Sequence, residues 1–263
     1  MIKLPTAPQV ANPNKVGELI LIGHQGSGKT SAFAGLPNSL LIDLENGSEQ
    51  IGGNILNIKK EAANQNEPMG KLLMETVDEI KKANAAAGKP VYDYIGIDGI
   101  TQLAKLARQK ATADFKNSVM GKGMLSKGTV IKDVVTDVPE SGWMWYFRAF
   151  DDIYTNFQGL AGKCLIFMAH SKQSSLMKDG VKLDAQDMNL ERKLSLDLLR
   201  SVDACGMVYR ASEHEVKISF KVNEKDLTIK ARAQHLNNQE FTLTTMNPET
   251  KQLTYFWDKI FID

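Results

Sequence analysis

Apolar residues fall into two regimes along this chain. Up to Tyr209 they come in short, mainly apolar runs, separated by stretches with helical spacing; beyond it they alternate with polar residues. The runs are 18–22, 40–45, 92–98, 163–169 and 203–209, with charged residues at their ends and only Asp43 and Asp93 inside them. Runs of that length without polar alternation fit strands buried on both faces, as in a parallel sheet. Between them, spacings of three and four predict helices. One starts after residue 30. A second spans 71–84, with Leu72, Leu73, Val77 and Ile80 on one face. Others are expected over 101–115, over 142–159 (Trp143, Tyr146, Phe147, Phe150, Ile153 and Phe157 on the apolar face, read as core) and over 191–200. The alternating segments 216–222, 227–229, 241–244 and 253–257 predict half-exposed antiparallel strands. Segments 51–69, 117–140 and 171–189 are polar, without clear periodicity, and read as loops. The expected fold class is therefore α/β: a central, mostly parallel sheet followed by C-terminal antiparallel strands. The apolar C-terminus is expected to fold back onto its own sheet.

The first predicted strand runs directly into Gly23-His24-Gln25-Gly26-Ser27-Gly28-Lys29-Thr30, which fits G-x-x-x-x-G-K-[ST] without a mismatch. Strand, glycine-rich loop and helix give the pattern its mechanism. Backbone N–H groups of Gly23 to Ser31 surround a phosphate chain, and the helix N-terminus adds its dipole. Lys29 supplies charge to the β- and γ-phosphates, and Thr30 offers a hydroxyl to Mg²⁺. The third strand ends in Asp98, placed to act on the metal side with Thr30. ATP or ADP with Mg²⁺ is the expected ligand.

Composition adds limits. The chain has 263 residues, 43% hydrophobic and 24% charged, as in a globular protein, and no apolar run reaches membrane-spanning length. The first residues carry three prolines (Pro5, Pro8, Pro13) and no signal-peptide core, so a cytoplasmic location is expected, in a bacterium or an infected host cell. Cys164 and Cys205 lie in strand-like runs and are read as reduced core thiols; cysteine and histidine spacing gives no zinc site. Net charge is +1, so any nucleic-acid contact must be local. Segment 105–133 is such a place: seven basic residues (Lys105, Arg108, Lys110, Lys116, Lys122, Lys127, Lys132) stand against Asp114 and Asp133. Lys116, Lys122, Lys127 and Lys132 are candidates for a loop that contacts single-stranded DNA phosphates; a solvated loop is the plain alternative.

The set Gly23–Thr30, Leu41-Ile42-Asp43-Leu44-Glu45, Tyr94-Ile95-Gly96-Ile97-Asp98 and Phe167-Met168-Ala169-His170 resembles the RecA-like P-loop ATPases. It is most similar to the compact phage-encoded ones of AAA type, linked to single-strand annealing. The resemblance covers residues 17–235, which makes 1–16 a lead-in and 236–263 a β extension of the same domain. It implies a core strand order of 5-1-4-3-2. It implies a catalytic glutamate at the end of the second strand, matched by Glu45, which would polarise the attacking water. Asp43 lies on the same strand face, but the more distal carboxylate is expected to reach the nucleotide. Where RecA has a glutamine that senses the γ-phosphate, this chain has His170. The family also implies DNA-binding loops, here near 117–140 and 171–190. The second carries Lys172, Lys178 and Lys182 against Asp179, Asp184 and Asp187, so its charge is nearly balanced. Homo-oligomers, as rings or filaments, and cations supplied in trans are implied as well, with Lys230 and Arg232 as the candidates.

With the resemblance, these residues imply an ATP-binding, ATP-hydrolysing, single-stranded-DNA-binding protein of phage-type recombination or replication. The alternative is a nucleotide-dependent scaffold with negligible hydrolysis. A small-molecule kinase ranks last, because the arginines are scattered rather than gathered into a lid.

Overall fold

The computed structural model describes residues 12–178, 181–222 and 228–262, without the side chains of 176–178 and 181–183. Most of the lead-in predicted over 1–16, Leu227, Asp179 and the side chains of Lys178 and Lys182 lie outside the described residues.

The strands are β1 (Glu18–Gly23), β2 (Ser39–Asp43), β3 (Ile55–Asn57), β4 (Tyr94–Asp98), β5 (Cys164–Lys178), β6 (Val181–Met188), β7 (Ala204–Ser212), β8 (Glu215–Ser219), β9 (Lys230–Ala231), β10 (Glu240–Met246) and β11 (Leu253–Tyr255). The α-helices are α1 (Lys29–Phe33), α2 (Ile58–Gln65), α3 (Met69–Ala87), α4 (Ile100–Asn117), α5 (Val119–Ser126), α6 (Val134–Asp137), α7 (Gly142–Phe157) and α8 (Arg192–Ser201). One sheet carries the order β11-β10-β8-β7-β1-β5-β4-β2-β3. Its centre, β7-β1-β5-β4-β2, is parallel throughout. Counting the five predicted parallel strands in chain order, this is the expected 5-1-4-3-2. The β8, β10 and β11 strands extend the β7 edge antiparallel, as their alternating sequences require.

β1 explains why the parallel strands lack polar alternation. Ile20 and Ile22 enter the core beneath α2, α3, α4, α7 and α8, while Leu19 and Leu21 enter the core on the opposite face with α1 and the C-terminal strands. All four are fully buried, so no position faces water. On α7, Tyr146, Phe150, Ile153 and Phe157 are buried as expected, but Trp143 is exposed and Phe147 is half-buried, so these two are not core. Cys164 and Cys205 are free, buried thiols on β5 and β7, and burial pushes both thiols up in pKa. The C-terminus does fold onto its own sheet: Trp257 and Ile260 are buried, and Trp257 Nε1 donates to the carbonyl of Ala32 in α1 at 2.8 Å.

Three segments read as loops are ordered. Within 51–69, β3 adds a parallel edge strand and α2 follows, its N-terminus capped by the Asn57 side chain accepting from Lys60 N. Within 117–140, α5 and α6 are capped by Ser118 and Asp133. These elements are too short for periodicity to reveal them. The third difference is larger. β5 continues past the core and pairs antiparallel with β6 from Ser171↔Met188 to Lys178↔Val181. That register spans the dipeptide Asp179-Gly180, a hairpin-turn signal hidden by the polar strands around it.

Candidate nucleotide-binding site

Parallel order puts the C-terminal ends of β1, β2, β4, β5 and β7 on one sheet edge, which is where open α/β sheets bind ligands. At the end of β1 the chain turns through residues 23–28 into α1. Gly28 makes that turn with φ of 96°, a left-handed conformation that a residue with a Cβ adopts only under strain. Lys29 follows, 6% exposed, with Nζ donating to the carbonyls of Gly23 and His24 at 3.0 Å each. Ser27 Oγ lies 3.4 Å from the same ammonium. Burial lowers the Lys29 pKa, opposed in part by the carboxylates of Asp98 and Glu45. The loop therefore holds a cation that its surroundings do not fully compensate.

The carboxylates come from neighbouring strands. Asp98, at the end of β4, accepts from Thr30 Oγ1 at 2.7 Å and is 7% exposed. Burial raises its pKa, the Thr30 hydrogen bond opposes this, and the nearby Asp43 and Glu45 add to it. Glu45 lies just past β2, with Oε2 2.9 Å from His170 Nε2 at the core end of β5. Both are about 30% exposed, so the pair stands at the mouth rather than in the core. Gly99 has φ of 105°, and a Cβ there would come within 2.5 Å of Glu45 Cγ; glycine leaves the room that Glu45 occupies. Asp43 has a different job from Glu45. It is fully buried and accepts from the backbone of Glu45, Asn46 and Ser48 and from the Ser48 hydroxyl, which shapes the turn carrying Glu45. His24 Nδ1 lies 3.2 Å from Ser171 Oγ, joining the loop to the base of the β5–β6 hairpin.

Most of these groups line one cleft of about 450 Å³, within the usual range for small-ligand sites; Gly23 and His24, expected in the phosphate loop, do not border it. Gln25, Gly26, Ser27, Gly28, Lys29, Thr30, Ser31, Glu45, Asp98 and His170 all border it. Sequence reasoning missed Asn46, Gly47, Ile51 and Arg210, which border it too. The signal for Arg210 is its place one residue beyond Tyr209, where the fifth parallel strand reaches the same edge. A larger groove of 660 Å³ beside α2 and α3 has an apolar floor, Glu61, Glu75 and Glu79 at its rim, and no cation to meet a phosphate.

Mg²⁺ fits the chemistry of the cleft: one hydroxyl and one carboxylate, Thr30 and Asp98, already meet, and such ions take few protein ligands and complete their shell with phosphate and water. Among the described residues no group of three or more His, Cys, Asp and Glu forms a self-sufficient metal cage.

The remaining candidates lie elsewhere. Lys105, Arg108, Lys116 and Lys132 line a separate groove of about 610 Å³ along α4. Lys122 on α5 and Lys127 just after it are exposed. Lys230 Nζ donates to the carbonyls of Leu199 and Val202, and Arg232 to those of Arg200 and Ser201, so both cap the C-terminal end of α8 in their own chain.

A central parallel sheet with this loop, this lysine and these strand-end carboxylates defines a P-loop nucleotide-binding protein. More particularly, the chain belongs to the AAA domain family, whose model matches residues 17–249. It matches no curated protein. No helix among the described residues is long and apolar enough to cross a membrane.

Proposed function

We propose that the protein binds ATP and ADP with Mg²⁺, hydrolyses ATP, and couples that cycle to single-stranded DNA in phage-type recombination or replication. One observation carries the hydrolytic part: two polar pairs, Thr30–Asp98 and Glu45–His170, flank the buried Lys29, held by the Gly23 and His24 carbonyls, at the mouth of a phosphate loop. Lys29 exchanges its carbonyl partners for β- and γ-phosphate oxygens. Thr30 and Asp98 would hold the Mg²⁺, whose charge would offset that of the phosphates. Glu45 accepts a proton from water as its oxygen attacks the γ-phosphorus; the bond from that phosphorus to the bridging oxygen breaks, leaving ADP and inorganic phosphate. His170 holds the Glu45 carboxylate in place before attack.

The DNA part draws on the groove along α4 with Lys105, Arg108, Lys116 and Lys132, and on Lys122 and Lys127 nearby in sequence. Exposed Val119, Met120 and Val130 give the same segment apolar surface for bases. Assembly into homo-oligomers fits this family of reactions; for Lys230 or Arg232 to serve a neighbour's cleft they would have to leave the end of α8.

Phosphate release measured with and without single-stranded DNA tests the reading. DNA is expected to stimulate turnover. Replacing Lys122, Lys127 and Lys132 together by alanine should reduce the slope of log affinity against log salt by about 2, at ~0.7 per lost phosphate contact. An unchanged slope removes this segment from the DNA contact. Turnover that DNA does not affect removes the coupling and favours a nucleotide-dependent scaffold.

A further inference from the structure

The cleft contains one cation that no motif explains. Arg210 stands near the end of β7, on the flank of β1 opposite β5, β4 and β2. Along the sheet edge the order is therefore Glu45, Asp98, His170, the phosphate loop, then Arg210. The carboxylates occupy one side of the loop and the guanidinium the other.

Three features hold Arg210 there. The β7–β8 register shifts between Arg210 and Ser212, and irregularities of this kind re-aim the side chains beside them. Val216, paired across from Arg210 on β8, lies so close to the loop that a Cβ on Gly28 would come within 2.7 Å of its Cγ2. The two strands thus form a wall against residues 26–28. Finally, Arg210 Nε donates to the Gly26 carbonyl at 2.8 Å, which fixes the stem and leaves the terminal N–H groups of the fork to other acceptors.

What Arg210 lacks is equally telling. The chain has six arginines. Four pair with a carboxylate: Arg108 with Asp133, Arg192 with Asp187, Arg200 with Asp197 and Arg232 with Asp203. Arg148 lies over the Trp145 ring. Arg210 alone combines a tethered stem with no ion pair among the described residues; it is exposed, at the border of a cleft that the buried Lys29 also lines. A planar guanidinium with free donors suits phosphate oxygens in a fork geometry.

We infer that Arg210 contacts the terminal phosphate of a bound nucleoside triphosphate, in the same chain, and so favours triphosphate over diphosphate. The helix N-terminus takes the inner phosphates and Lys29 reaches the β- and γ-phosphates; Arg210, tethered to the Gly26 carbonyl in the middle of the loop, offers its free N–H groups to the terminal phosphate from the side of the loop away from the carboxylates. The inference rests on the nucleotide-binding reading above.

The test is a titration of wild type, Arg210→Ala, Arg210→Lys and Lys29→Ala with ADP and with the β,γ-imido analogue of ATP, both with Mg²⁺. Arg210→Ala should weaken the analogue by about 10- to 100-fold, the effect of losing a charge-assisted hydrogen bond, and leave ADP within about threefold. Arg210→Lys, which keeps the charge and loses the fork, should fall between Ala and wild type. Lys29→Ala should weaken both ligands. Equal losses for ADP and the analogue in Arg210→Ala would mean that the side chain only shapes the loop through Gly26, and would overturn the inference, as would no change for either. If wild type bound neither nucleotide, the nucleotide reading itself would fall, and this inference with it.

Discussion

Glu45→Gln should abolish most ATP hydrolysis while leaving ATP binding within a few-fold of wild type. The substitution keeps the size of the side chain and a hydrogen-bonding oxygen for His170, which lies 2.9 Å from Oε2. It removes the group that accepts the proton of the attacking water. General-base catalysis contributes about 10²–10⁴-fold, so turnover should fall by that factor. Phosphate release measures the loss, and titration with the β,γ-imido analogue measures binding. The geometry makes the effect specific. Glu45 sits on a turn organised by buried Asp43, beside a glycine with room for nothing larger, so glutamine inherits the same position. If Glu45→Gln hydrolysed ATP as fast as wild type, another group would be the base. If wild type itself did not turn over, the protein would be a nucleotide-dependent scaffold.

Lys29→Ala should remove nucleotide binding without unfolding the protein. In most buried positions, deleting a lysine that makes hydrogen bonds costs stability. Here burial already lowers the lysine's pKa, and the neighbouring carboxylates only partly oppose that, so the charge is not well accommodated without a ligand. Its alanine variant should therefore melt near the wild-type temperature in the absence of nucleotide. Wild type should gain stability with added ATP, rising with the logarithm of ligand concentration, and the variant should not. The affinity loss should exceed about 100-fold, as for a buried charge-assisted contact to phosphate oxygens together with the electrostatics of the loop. A thermal-shift series over nucleotide concentration reads both effects. A variant that melted far below wild type without ligand would show that Lys29 supports the fold rather than the ligand.

The parallel centre of the sheet was legible because its strands are buried on both faces: β1, β4 and β5 read as mainly apolar runs, and those of β4 and β5 lead to Asp98 and His170, which border the cleft. The loop from Gly23 to Thr30 was legible for a stricter reason, since its glycines and lysine are constrained one by one by backbone conformation and charge. The β5–β6 hairpin was not, because past His170 the strand leaves the core and takes polar residues on both faces; only the dipeptide Asp179-Gly180 marks it. α2 escaped notice because eight residues with Ile58 and Ala62 buried give barely two turns of pattern. Arg210 is a site residue of another kind. Its local mark is no more than its place after the fifth apolar run; its role depends on β7 lying next to β1, which is a fact of strand order rather than of local sequence.

The central claim is that residues 23–31, with Asp98 and Glu45, take up a nucleoside triphosphate together with Mg²⁺. Equilibrium dialysis of labelled ATP against the intact chain, with Mg²⁺ and with a chelator, tests it most directly. The expected result is saturable uptake approaching about one nucleotide per chain with Mg²⁺ and weaker uptake with the chelator. No uptake in either condition, at nucleotide concentrations up to the millimolar range, would contradict the account.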